Sequence, residues 1–169
     1  NMKIPIFVSA PTSLDAQQKT TYSELMELLD YENLEPRRLG ASDYPIDYPL
    51  KGVLLIARRC SGAVVLGFRQ IVARDAVAKP WLQNSSVVKN AAFPTPWNQI
   101  EAGIVFALRL PLLVFREEGI SGGVFDNGVT DVFLQHLPSG GFSAEQKQQA
   151  RESIQHWVAR VRIEYKRWD

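Results

Sequence analysis

Three runs of this chain, Ile4–Val8, Ala63–Phe68 and Leu110–Phe115, are apolar at nearly every position rather than at alternate ones. A strand with one wet face alternates. A strand without alternation is covered on both faces, which calls for helices above and below a parallel sheet. The intervening segments supply them. Tyr22, Leu25, Met26, Leu28 and Leu29 recur at near-helical spacing within Asp15–Tyr31, Leu50–Arg59 reads as a short helix, and Ile100–Arg109 reads as another, entered at Thr95–Pro96. Leu34–Leu39 is a weaker strand, closed by Gly40 and the turn-rich Ser42–Pro49. The alternation predicts an α/β fold: a flavodoxin-like, doubly wound, mostly parallel sheet with helices on both faces. A long last helix, Glu145–Trp168, carries Ile154, Trp157, Val158, Val161 and Tyr165 on one stripe, which suits either the core or a dimer seam.

A length of 169 residues fits one domain spanning 1–169. With 19 Lys and Arg against 18 Asp and Glu, the chain has no whole-molecule field to draw in a polyanion, so no nucleic-acid partner is expected. The single cysteine, Cys60, can form no internal disulfide and lies at a helix end with no adjacent histidine, where a buried, inert thiol fits best. A reducing, cytoplasmic setting follows. The apolar run after Asn1-Met2-Lys3 is too short to span a membrane, and no membrane association is expected. His136 and His156 lack metal-ligand spacing, so no metal is expected.

One connection departs from the pattern. About two dozen residues, 69–94, separate the Ala63–Phe68 strand from the next helix, where a few would suffice. This insertion carries Arg69, Arg74, Lys79 and Lys89 with Trp81 and Phe93, and reads either as a substrate cover or as a surface excursion and oligomer contact. Gly119–Gly128 could bring backbone amides and Asp126 to the same rim, although a simple glycine-rich turn explains it as well. The segment matches neither a dinucleotide fingerprint nor a phosphate loop.

The most informative stretch is Thr95-Pro96-Trp97-Asn98-Gln99-Ile100-Glu101-Ala102-Gly103. Thr95 as N-cap with proline at the first helical position should start a helix there. Glu101 then shares a stripe with Ile104, Val105 and Leu108, an apolar face on which a carboxylate is costly. Such violations concentrate at functional sites, although pairing with a cation at the edge is the plainer alternative. In this architecture ligands sit outside the carboxyl ends of the strands. The small residues Ser9, Ala10, Thr12 and Ser13 would open there, as would the loop beginning at Arg69.

The segment Ile100–Val114, a glutamate followed by a small residue and glycine in a helix leading to a proline-led strand, resembles the nucleoside 2-deoxyribosyltransferase family. Ser9-Ala10-Pro11 resembles that family's first loop. Trp97 four residues before Glu101 is similar to the catalytic helix of TIR domains that cleave NAD, with Asn98 where those domains have cysteine. The transferases' acidic residue and Gly-Thr pair upstream of the glutamate are replaced here by the insertion and Thr95-Pro96-Trp97. The resemblance implies that Glu101 acts at the anomeric carbon of a ribose, stabilising an oxocarbenium-like state or trapping it as an ester, with NAD or a related nucleotide or nucleoside as substrate and no separate cofactor. Ser9, Pro11, Thr12, Arg69, Trp97 and Asn98 are the expected substrate-binding residues. A homo-oligomer is also expected, and the TIR likeness implies a role in stress or antiviral defence. The alternative is a nucleotide-sensing or protein-interaction module that keeps the fold without turnover.

Overall fold

The computed structural model describes residues 2–39, 48–130 and 134–167. Of the expected turn, Gly40 with Ser42–Pro49, all but Tyr48 and Pro49 lies outside these residues, as does the end of the last helix at Trp168. In chain order the elements are β1 (Ile4–Ser9), α1 (Ala16–Tyr31), β2 (Leu34–Arg37), α2 (Pro49–Ala57), β3 (Ala63–Gly67), β4 (Ile71–Ala78), β5 (Ser86–Phe93), α3 (Pro96–Ala107), β6 (Leu112–Arg116), β7 (Gln135–His136) and α4 (Ala144–Lys166). Five strands form one sheet in the order β2-β1-β3-β6-β7. Every neighbouring pair in it is parallel. This is the doubly wound, flavodoxin-like order with a hairpin inserted after its third strand.

The apolar strands divide their side chains between two cores, as the pleat requires. Ile4, Ile6 and Val8 of β1, Val64 and Leu66 of β3, and Leu113 and Phe115 of β6 meet α1 and α4. Phe7, Ala63, Val65, Leu112 and Val114 point the other way, against Val53 and Ala57 of α2 and Ala102 and Val105 of α3. Ser9 continues the second series and so faces α3. The helices start where their caps dictate: Asp15 accepts from Gln18 N at 2.8 Å while Gln18 Oε1 accepts from Asp15 N, and Ser143 and Gln146 repeat this box at α4.

The stripe on α4 is core rather than a seam in this chain. Ile154, Trp157, Val158 and Val161 are buried, and the Trp157 indole N–H donates to Pro111 O at 2.9 Å. Burial of each such side chain contributes roughly 1.5–3 kcal/mol. Gly62 permits the approach, because a Cβ there would stand 2.6 Å from Val161 Cγ2.

The insertion has regular structure that the sequence reading leaves out. β4 and β5 pair antiparallel from Ile71↔Phe93 to Ala78↔Ser86. Apart from buried Ala92 and half-buried Ala73, Ala76 and Ala91, their side chains are exposed on both faces, so no alternation of wet and dry positions announces a strand. β7 also escapes sequence reading, being only two residues long.

Candidate active site

The chain leaves β1 toward β2 on one side and leaves β3 toward β6 on the other, so the strand order reverses between β1 and β3. The carboxyl ends of these two strands flank the crevice in which doubly wound proteins hold ligands. α3 begins beside it. Thr95 has the extended backbone of an N-cap and Pro96 occupies the first turn, but the Thr95 hydroxyl faces Asn98 Oδ1 at 3.4 Å and does not cap a backbone amide. Asn98, Glu101, Ala102 and Val105 form the buried face of α3. Glu101 therefore lies on the inward stripe that its spacing predicts.

Glu101 is 8% exposed. Desolvation pushes its carboxyl above the ordinary carboxylate range, and two opposing influences hold the rise in check: a hydrogen bond from the Ser9 hydroxyl and the positive charge of Arg38. Ser9 is itself oriented. Its Oγ accepts from Asn98 Nδ2 at 2.9 Å, and the same amide reaches Leu66 O at 3.3 Å, tying the ends of β1 and β3 to α3. With one lone pair engaged by Asn98, the hydroxyl proton is free to point at Glu101. Ser9 and Asn98 are 0% and 1% exposed, so their side chains position the carboxylate from within the protein wall.

The other expected residues spread around this centre. Pro11 is buried and Thr12 exposed in the loop after β1. Trp97, one turn before Glu101 on α3, is 41% exposed. Arg69 sits at the exit of β3. Its backbone N–H donates to Glu117 Oε2 at 2.7 Å, and its Nε lies 3.5 Å from the same oxygen. Gln18 Nε2 completes the knot, donating to Glu117 Oε2 at 3.0 Å and to Arg69 O at 3.1 Å. This cluster fastens α1, the end of β3 and the end of β6 to one another. The glycine-rich segment is fastened too: Gln99 bridges Gly122 O and Val124 N at 3.0 Å each, and Asp126 accepts from Gly122 N at 2.7 Å.

Arg38 is the residue that sequence reasoning misses. It follows β2 and donates to Ala10 O at 3.2 Å, to Pro11 O at 3.0 Å and to the Tyr22 hydroxyl at 3.1 Å, with its guanidinium 5.7 Å from the Tyr22 ring centre. It clamps the loop after β1 and places a cation near Glu101. The available signal was the Arg37-Arg38 pair at a strand's carboxyl end, the edge where this fold binds ligands.

Cys60 is buried, its thiol pushed up to about 12 chiefly by desolvation, as expected of an inert packing group. Among the described residues no group of three or more His, Cys, Asp or Glu is placed to hold a metal, and no helix is long and apolar enough to cross a membrane. Glu101 lines none of four surface cavities formed by the described residues. The Glu101 side chain is largely buried, with the Ser9 hydroxyl against it, and Arg38 fastens the loop after β1 through Ala10 O and Pro11 O.

No protein-family model matches the chain, and no curated protein matches it. Among solved structures it is similar to that of Clostridium botulinum CMP N-glycosidase, BcmB, with a TM-score of 0.53 at 13% identity, over 90% of this chain and 98% of that one. The likeness is one of fold: the sheet and its helices extend over nearly the whole of both chains.

Proposed function

We propose that this protein cleaves the N-glycosidic bond of a nucleotide or nucleoside, with Glu101 acting at the anomeric carbon. The observation that carries the reading is a carboxylate held by Ser9 at the strand-order reversal, in a fold shared with an enzyme that breaks this bond in CMP. As the bond between C1′ and the base nitrogen breaks, its electron pair leaves with the base and C1′ becomes oxocarbenium-like. The ionised Glu101 offsets that charge or adds to C1′ as an ester that water then hydrolyses. Its low-dielectric surroundings strengthen the attraction. Arg38, whose charge reaches Glu101, offers a cation for an anionic substrate, and Trp97 offers a ring for a base.

Two substrates head the panel. CMP comes from the structural likeness, and NAD from the Trp97–Glu101 spacing shared with TIR domains, with which a defence role would travel. The protein, incubated with CMP, other nucleoside monophosphates, free nucleosides and NAD, should release base detectable by chromatography. Glu101→Gln should lower that release by about 100-fold or more. Equal release by both proteins would remove Glu101 from its role.

The burial of Glu101 favours a second reading, a nucleotide-sensing module without turnover. Saturable nucleotide binding by calorimetry, with no base released by either protein, would select it.

A further inference from the structure

The hairpin β4–β5 is built like an arm. Its base is secured where Gln70 N donates to Phe93 O at 2.9 Å, Gln70 Nε2 donates to Ser13 O at 3.1 Å, and Ala92 bridges to Ile120. Beyond that base, residues 74–90 are exposed apart from half-buried Ala76. The outer half carries Val77, Trp81, Leu82, Val87 and Val88, which are 53%, 78%, 47%, 62% and 41% exposed. A two-stranded ribbon with both edges unpaired is marginal in water by itself, and apolar side chains gathered at its tip mark a contact surface.

The charge pattern selects the occupant. Asp75 lies directly opposite Lys89, and Val77 opposite Val87 two positions further out on the same face. A two-fold contact must be self-complementary, with the same patch meeting itself in reverse. When two such faces meet about an axis beside the Asp75–Lys89 pair, each aspartate meets the other copy's lysine, and no like charges collide. The valines beyond them find apolar cover in the facing arm.

The geometry points to a homodimer of this chain formed by the two hairpins, with Asp75 of each copy paired to Lys89 of the other. Sedimentation analysis of the full chain across a concentration series should show reversible dimers. Asp75→Lys alone and Lys89→Asp alone each set like charges against one another and should weaken the dimer at least about tenfold. An equimolar mixture of the two variants should restore it, because each lysine then faces an aspartate across the axis. Circular dichroism of each variant checks that the fold is retained, and Val87→Asp provides a second disruption that leaves the charge pair in place. A wild type that stays monomeric throughout, single variants that dimerise as well as the wild type, or a mixture that fails to recover would each overturn the proposal.

Discussion

Asn98 Nδ2 donates to Ser9 Oγ at 2.9 Å, joining a helix to a strand end that lies 89 residues earlier in the chain. The bond fixes a rotor. A serine hydroxyl otherwise turns to suit whatever is near, whereas here its acceptor side is taken and its proton is left for Glu101. Asn98→Asp would offer an acceptor where Ser9 requires a donor, which makes this asparagine's amide, and not merely its size, the relevant feature.

Ser9→Ala deletes the hydrogen bond that lowers the Glu101 pKa and leaves desolvation less opposed. The carboxyl should therefore ionise at higher pH in the variant. If base release depends on the carboxylate, the acid limb of its pH–rate profile should shift upward, with a loss on the order of tenfold at neutral pH. A profile that falls uniformly without shifting would mean that Ser9 matters only for packing.

Glu101 also sets a pH dependence of stability. Its folded-state pKa is raised, so the folded protein holds this proton to higher pH than the unfolded chain does. The associated stability is fully present below the unfolded carboxyl pKa and is lost as pH rises through the raised folded value. Glu101→Gln removes the burden of an ionised, desolvated group. Thermal unfolding should accordingly show the variant more stable than wild type at neutral pH, with the gap closing as pH falls toward the ordinary carboxylate range.

Arg38 acts on Glu101 through charge and on the loop after β1 through hydrogen bonds, and two substitutions separate these effects. Arg38→Lys keeps the charge and loses the forked contact to Ala10 O and Pro11 O. Arg38→Gln loses the charge. The acid limb of the pH–rate profile should move upward in the glutamine variant and stay near the wild-type position in the lysine variant.

Gly67 ends β3 beneath the Phe125 ring, and a Cβ there would lie 2.5 Å from Phe125 Cε1. Phe125 is fully buried and has little room to retreat. Gly67→Ala should cost about 1–3 kcal/mol in denaturant unfolding through overpacking. Gly103, with open space where its Cβ would be, provides the control: at this exposed helical position Gly103→Ala should stabilise by about 0.5–1 kcal/mol.

Much of this architecture is legible in the residues because burial on both sides writes itself as uninterrupted apolar strands, as in Ala63–Gly67. The inward placement of Glu101 is legible for the same reason: helical spacing assigns it a face before any neighbour is known. The hairpin is not, because Ile71–Phe93 buries almost nothing within the chain and so lacks the alternation that reports a dry side. Arg38 is hidden for a different reason. Its place beside Glu101 depends on β2 pairing with β1, a long-range fact that no local pattern of residues 34–39 encodes.

The hairpin opens and closes at one pair of facing residues, Ile71 and Phe93, so the chain leaves for the arm and returns from it at neighbouring points. The path from β3 into α3 is therefore almost the one it would follow were the arm missing. Evolution can lengthen, shorten or redecorate this ribbon without disturbing the wall that holds Glu101, so the outer surface of the arm and the crevice at the strand ends are free to diversify on separate schedules within one chain.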